Sequence, residues 1–509
     1  MDKCIKWIQE AVGLCSGGEG RNEYELEKDF QKYSEEYNSF SEQEQNKIFA
    51  IMKNAFALDD NIYVHSFLSR YLDNDNFKKQ LFELMMCYEE DWQRACAMEM
   101  NCNVRIDGMY AEKRRLHTRN IKLIEQKLGN MPAYRRYEER EKKRIIIATE
   151  QMLAINHAPT LLVLNCALQL KKYLGYEVVI LETPNNPQCE GVVWHNELFM
   201  NTTAEKPDMV YTEYMGERFN IFQVPMTENA AEVYSELLNM VYELNPLFIF
   251  SVGVLNPIVD ILGNVTTVVA RNLIVDMPVS DCQIMTECCG KENSEKIYYD
   301  EEYGQVVYST KYDLPMNREH NEVEVKRSDY SYGEDEFLIA IVGNRLDMEI
   351  DEEFIQLMKR VSDYSERVRF VIIGNTENLE RKFDEAELDN VYYMGYCMNL
   401  KSTYKIFDLY MNPFRKGGGH SSVIAMEAGL PAVTLDGGDV ALGVGEKFVS
   451  HSVEEMYNTI CRYLDDEAFC EEMREKTISA RKDFSYENSA KDLQHMIDTI
   501  ENLIKEYEK

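Results

Sequence analysis

Asn412-Pro-Phe-Arg-Lys-Gly-Gly-Gly-His-Ser-Ser-Val-Ile-Ala-Met-Glu-Ala-Gly-Leu-Pro-Ala-Val-Thr-Leu-Asp-Gly-Gly438 is the stretch around which the chain is organised. The apolar run just before it, Phe407 to Met411, reads as a strand. Three consecutive glycines, Gly417, Gly418 and Gly419, let backbone approach a ligand closely, and Ser421 or Ser422 supplies an N-cap for a helix running to Ala428. Pro431 restarts the chain, and Ala432 to Leu435 reads as a buried strand closed by the turn Asp436-Gly437-Gly438. The unit is therefore strand, glycine loop, helix, strand. The positive end of such a helix, with its outward amides, suits a diphosphate. Arg415, Lys416 and His420 stand at the loop with side chains that can donate to phosphate oxygens. No Gly-Lys-Ser/Thr follows the glycines, which excludes a Walker loop, and the spacing of a dinucleotide fingerprint is absent. On this segment alone, an ordinary glycine-rich turn of some α/β domain is the alternative.

Length and composition bound the rest. At 509 residues the chain exceeds what one hydrophobic core serves, so two or three domains are expected. An apolar share of 45% places it among globular rather than disordered chains. The formal net charge of -34 argues against work on nucleic acid, which needs clustered cations, and against a permanent seat on an anionic membrane. The thirteen cysteines form no paired framework with histidines at zinc spacing, so Cys282, Cys288 and Cys289 read as reduced thiols rather than a metal site. Lys3, Lys6 and Glu10 interrupt the first apolar residues, and no run of about 18 apolar residues occurs. A cytoplasmic protein without stable membrane insertion is expected.

Taken in order, residues 1–140 read as an all-helical N-terminal domain, with Phe67, Tyr71, Phe77, Leu81, Leu84 and Met85 at mixed three and four spacings. The basic run from Lys113 to Arg144 reads as a solvated helix face. Asp73-Asn74-Asp75 lies in this helical region and reads as a turn rather than a metal-binding pair. Residues 141–315 alternate as an N-terminal Rossmann-like domain, with strands expected at Ile145 to Thr149, Val178 to Glu182, Leu247 to Val252 and Val265 to Val269. Parallel sheets bind ligands at the carboxyl ends of their strands, which points to the loops Gln151 to Thr160 and Gly253 to Asn256. His157 in the first of them can hydrogen-bond or transfer a proton near neutral pH; a loop histidine capping its own helix is the alternative. Residues 316–336 read as a linker. A second Rossmann-like domain follows at 337–486, its strands ending in Gly343-Asn344-Arg345, in Gly374 and in Gly395-Tyr396, and a C-terminal helix occupies 487–509.

The positions Gly417, Gly419, Ala425, Met426, Gly429, Pro431 and Val433 resemble the sugar-nucleotide loop of GT-B glycosyltransferases, where Gly-x-Gly opens a helix carrying Ala-Met and Gly-x-Pro-Val precedes a strand. Asn156-His-Ala-Pro-Thr160 is similar to the Asn-His-Pro-Thr loop of the O-GlcNAc transferase family with one residue inserted, and His420-Ser421-Ser422 is comparable with its His-Thr-Thr. Related bacterial N-glucosyltransferases also carry a helical domain before their core. The resemblance implies an α/β protein of GT-B type, with two Rossmann-like domains facing a cleft, a helical N-terminal region and a last helix returning to the first lobe. It implies transfer of a hexose or N-acetylhexosamine from a nucleoside diphosphate sugar, in the first instance a UDP-sugar, without cofactor or metal. A protein acceptor or a partner glycosyltransferase is expected, with a polysaccharide or glycolipid transferase and a non-catalytic scaffold or chaperone subunit as alternatives.

The same resemblance distributes the roles. His157, Arg345 and Lys416 would be catalytic. Asn344, Gly374, Gly395 and Tyr396 would meet the nucleoside, and Gly417, Gly418, Gly419, His420, Ser421 and Ser422 its diphosphate. Retaining members carry two glutamates eight residues apart where this chain has Lys416 and Ile424, and a lysine five residues beyond the arginine where it has Ile350. Glu427, three residues along the helix, is then the candidate for the ribose, and Lys416 for the missing cation. Loss of the glutamate pair favours inversion, and the stereochemistry stays open.

Overall fold

Ile145, Ile146, Ile147 and Ala148 follow one another without a polar residue and are all buried, the pattern of a strand covered on both faces. The computed structural model describes residues 2–16, 32–59, 75–86, 92, 95–96, 98–100, 106, 108–150, 152, 158–183, 208–224, 230–271, 277–289, 293–313, 323–415, 417–481 and 486–509. The chain divides into two units, Met1–Lys311 with Gln494–Lys509, and Tyr312–Leu493.

The first unit is built on β1 (Glu141–Thr149), β2 (Glu177–Glu182), β3 (Asp208–Tyr214), β4 (Glu217–Gln223), β5 (Pro246–Val252), β6 (Val268–Arg271), β7 (Ile284–Cys288), β8 (Lys296–Asp300) and β9 (Gln305–Thr310). They lie in the order β3-β4-β2-β1-β5-β6-β7-β9-β8. The inner pairs are parallel, while β3 runs antiparallel to β4 and β8 to β9. Sequence reading found four of these strands and placed the fourth about three residues early. It passed over the short β7 and the edge hairpins β3-β4 and β8-β9, whose exposed edge residues lack a long apolar run.

Helices Lys3–Ser16, Glu42–Asp59, Asp75–Met86 and Tyr110–Leu128 precede the sheet. Helix Tyr110–Leu128 packs against helices Ala230–Leu244 and Pro257–Leu262. The basic run on and after it is not simply a solvated face. The Arg114 side chain is buried, with Nη2 donating to Gln305 Oε1 at 3.0 Å. Arg140 is also buried and donates to Leu247 O and Thr267 Oγ1, both at 2.9 Å, and to Glu508 Oε1 at 2.5 Å. Glu508 lies just past helix Tyr486–Tyr507, whose second half, from Gln494, groups with this unit. The Cys282 thiol is buried, pushed up to about 12 by burial, and donates to Ile284 O. Asp73 and Asn74 lie outside the described residues. Among those described, no helix is long and apolar enough to cross a membrane.

The second unit has β10 (Phe337–Val342), β11 (Val368–Ile373), β12 (Val391–Gly395), β13 (Leu409–Met411), β14 (Ala432–Leu435) and β15 (Val449–Ser450). All pairs are parallel, in the order β12-β11-β10-β13-β14-β15. The end of the segment read as a linker is bonded to the second unit. Arg327 donates to Asp408 Oδ2 at 2.7 Å and to Ile406 O at 3.0 Å.

One buried charge cluster ties helix Tyr110–Leu128 to helix Pro257–Leu262. His117 is fully buried, and its two ring nitrogens stand 2.6 Å from Glu99 Oε1 and 2.6 Å from Asp260 Oδ2. Burial opposes the charged ring, but Glu99 and Asp260 outweigh it and hold the imidazole up at about 10, against an ordinary 6.5. A raised folded-state value stabilises fully below the unfolded value and is lost as pH rises toward the folded one. The difference in unfolding free energy between wild type and His117→Gln should therefore be on the order of 3 kcal/mol at pH 6 and shrink toward pH 10. Urea denaturation at both pH values checks this; a difference that does not change with pH contradicts a charged His117.

Candidate functional site

In the second sheet the chain leaves β10 toward β11 and β12 on one side, then returns to β13, β14 and β15 on the other. The connections part between β10 and β13, and in open parallel sheets a ligand crevice lies outside the carboxyl ends of the strands at that point. Two loops flank it. Gly343-Asn344-Arg345 follows β10, and Asn412 to Gly418 follows β13.

The second loop ends in helix Gly419–Glu427, and its start differs from expectation. The N-cap is Gly418, in the left-handed region at φ 96°, which a glycine adopts without steric cost. Ser421 and Ser422 lie inside the helix instead of capping it. Their hydroxyls donate back to Gly418 O at 2.9 Å and Gly419 O at 2.8 Å. The N–H groups of the first turn, those of Gly419 and Ser421 among them, still point out of the helix end, where no preceding turn accepts them. The three glycines have different reasons. A Cβ on Gly417 would meet only Arg345 Nη2, at 3.5 Å, so this position has room. A Cβ on Gly419 would come within 2.9 Å of Asp439 Cβ, so Gly419 is required by packing against helix Asp439–Val444.

Arg415 is not available to a ligand. Its side chain is only 6% exposed and forms an ion pair through Nη1 with Glu349 Oε2. Nη2 donates to Val342 O at 2.7 Å, and Nε to Asn412 Oδ1 at 3.0 Å. The guanidinium fills the space beside two glycines: a Cβ on Gly343 or Gly418 would each lie 2.6 Å from one of its atoms. The other oxygen of Glu349 stands 3.1 Å from Arg345 Nη2. Arg345 is exposed and N-caps the short helix Leu346–Glu349. One carboxylate thus joins a buried cation to an exposed one and keeps the exposed one beside Gly417. Tyr410 extends the network, its hydroxyl 2.9 Å from Ser421 Oγ. Glu349 and Tyr410 were missed from sequence, where no local pattern marks them.

The remaining candidates sort as follows. Gly374 has φ 140°, and its missing Cβ would overlap Gly343 O, so it is a glycine because two strand ends meet there. Asn344 is exposed at the end of β10, and Gly395 (φ 71°) and the exposed Tyr396 stand at the end of β12. Glu427 is 3.2 Å from Lys401 Nζ. Ile424 is buried in the core. His157 and Lys416 lie outside the described residues.

In the first unit the corresponding parting lies between β1 and β5. Glu150, directly after β1, accepts the N–H groups of Val254 at 2.6 Å and Leu255 at 2.8 Å. Burial pushes its carboxyl up to about 7 against the effect of those amides. A Cβ on Gly253 would lie 2.4 Å from Glu150 Oε1, which accounts for that glycine. Sequence reading pointed to both flanking loops and missed the carboxylate between them.

Residues 323–482 match the family model for glycosyl transferases group 1. No curated protein sequence matches the chain significantly. Among solved structures, an O-GlcNAc transferase mutant from Thermobaculum terrenum aligns over 99% of this chain and 99% of its own, at 12% identity and TM-score 0.53. An Anabaena protein, HepE, in complex with UDP and glucose covers 70% of this chain and 100% of its own, at 12% identity and TM-score 0.46. A UDP-forming α,α-trehalose-phosphate synthase from Burkholderia vietnamiensis covers 70% and 99%, at 11% identity and TM-score 0.46. At such identities the likeness is one of fold.

Removing one partner of a buried ion pair strands the other charge. Glu349→Ala should therefore cost about 3 kcal/mol of unfolding free energy, and Glu349→Gln less, because its amide oxygen still accepts one N–H. Urea denaturation measures both. An alanine variant as stable as wild type would mean that Glu349 does not hold Arg415.

Proposed function

We propose that this chain, whose fold is that of the GT-B glycosyltransferases, transfers a hexose or N-acetylhexosamine from a nucleoside diphosphate sugar to a protein acceptor, without a metal. One observation carries the reading. The N-terminus of helix Gly419–Glu427 opens at the parting of β10 and β13 with the Arg345 guanidinium beside Gly417.

The chemistry follows from charge. Breaking the bond between sugar and diphosphate leaves negative charge on the departing phosphate, and donors fixed in place before the reaction stabilise it without reorganising. The first-turn amides and Arg345 supply such donors. Lys416, one residue before Gly417, would add a cation there, and His157 would act on the acceptor or the phosphate. Asn344, Gly395 and Tyr396 would lie along the nucleoside. UDP is the first nucleotide to test, as the resemblance of the glycine loop implies. The O-GlcNAc transferase that aligns over the whole chain supports an N-acetylhexosamine donor. The helical layer of the first unit offers an acceptor surface.

One competing reading is a GT-B scaffold that binds nucleotide without turnover. It is favoured by the pairing of Glu427 with Lys401, which engages the carboxylate proposed for the ribose. Turnover separates the two, since only an enzyme releases UDP from a UDP-sugar.

Calorimetry on the whole chain tests the donor site. Wild type should bind UDP, and Arg345→Ala should bind about tenfold more weakly with an unchanged melting temperature, because it loses a charge-assisted hydrogen bond from an exposed residue. Gly417→Val should weaken binding in the same way, since the side chain fits the fold but intrudes on the phosphate. UDP affinity equal to wild type in both variants would remove the diphosphate from this loop. Turnover of a UDP-sugar should persist in excess EDTA. Loss on chelation, with recovery on adding Mg²⁺, would overturn the metal-free reading.

A further inference from the structure

Among the described residues, the nine-stranded sheet ends in two edge strands that are guarded differently. An edge presents a row of N–H and C=O groups with no neighbour on one side, and natural edges are usually protected by charge, bulges or cover. On β3, exposure alternates along the strand. The Arg218 guanidinium lies 3.8 Å from the ring centre of Tyr211, and the exposed Glu213 puts a charge near one end. On β8 there is no alternation. Ile297, Tyr298 and Tyr299 are 51%, 48% and 59% exposed, so apolar side chains stand out on both faces of the strand. Among the described residues, β9 is its only neighbour in the sheet.

The order of residues in Lys296-Ile-Tyr-Tyr-Asp300 says what can sit there. When a strand pairs antiparallel with its own copy about its middle residue, each residue faces the one equally far on the other side of the centre. Centred on Tyr298, this sets Lys296 opposite Asp300, Ile297 opposite Tyr299, and Tyr298 opposite itself. Opposite charges meet at both ends, and aromatic and β-branched residues meet between them, the combinations that favour cross-strand pairing. Centring on Ile297 gives Lys296 no acidic partner within the strand, and centring on Tyr299 runs the pairing into the turn at 301–304. The same operation on β3 pairs no opposite charges.

We propose that β8 is the seat of a two-fold contact between two copies of this chain, in which β8 pairs antiparallel with β8 about Tyr298 and continues the sheet from one copy into the other. Such a contact is self-complementary and closes on itself. A chain with a net charge of -34 repels its copy. Association therefore requires a local patch where no like charges face each other, and within Lys296–Asp300 this register provides one, bounded just beyond the strand by Glu295 level with Glu301. A single strand covers less area than a permanent dimer interface, so association in the micromolar range is expected. The inference rests on the first unit alone and is independent of the donor site.

Sedimentation equilibrium on the full chain over the micromolar range reads the association. Wild type should approach twice the chain mass. Asp300→Lys sets lysine against Lys296 and should weaken the dimer about tenfold. The double variant Lys296→Asp with Asp300→Lys restores opposite charges and should recover the wild-type constant, which a misfolded variant would not do. Under mild oxidation, Tyr298→Cys should cross-link two copies above the wild-type background, because residues directly opposite lie within disulfide reach. Tyr299→Cys should not, because it faces Ile297. A chain that stays monomeric overturns the proposal. So does a dimer indifferent to Asp300→Lys, or one that cross-links equally through Tyr299→Cys.

Discussion

The two loops at the carboxyl end of the second unit's sheet depend on the buried guanidinium of Arg415. A cation taken out of water is tolerable only when its donors are satisfied, and here Glu349, Val342 O and Asn412 take them up. Because these partners sit on both sides of the parting between β10 and β13, satisfying one charge fixes both loops. Burial lowers the pKa of this guanidinium, but Tyr410 and Glu349 outweigh it and the pKa is raised, so the group stays charged. The glycines follow from the same demand. Gly343 and Gly418 make room for the guanidinium, and Gly374 makes room for the carbonyl of Gly343. What reads in sequence as a run of glycines opened for a phosphate is in large part a packing solution around an arginine, with Gly417 alone left roomy.

That difference shows what the residue order can reveal. The central strands are legible because β-branched runs such as Ile145 to Ile147 and Phe370 to Ile373 are buried from both sides and need no partner to be recognised. The glycine loop and the helix after it are legible from spacing. The helix start is not, because serine is the commoner cap by preference and only the left-handed backbone at Gly418 shows that glycine takes the role. Arg415 reads as a phosphate donor until its partner appears, and that partner, Glu349, is 66 residues away. No local pattern carries that information.

The first unit repeats the lesson with other charges. Its basic run looks solvated by composition, yet Arg114 and Arg140 are buried, and His117 sits between two carboxylates that come from different parts of the chain. These internal charges join the helical layer and the last helix to the sheet. Glu150 stands at the parting of β1 and β5 with its carboxyl held near neutrality by burial. Legibility fails in the same place in both units: a polar group whose partner is distant in sequence has no signature until the fold brings the two together.

The central claim concerns where a diphosphate binds, and a crystal structure of the chain with UDP tests it most directly. The account predicts diphosphate oxygens within hydrogen-bond distance of the first-turn amides of helix Gly419–Glu427 and of the Arg345 guanidinium, with the Arg415 ion pair to Glu349 intact. A diphosphate seated away from that helix end, or held there by a divalent ion on carboxylates, would contradict it.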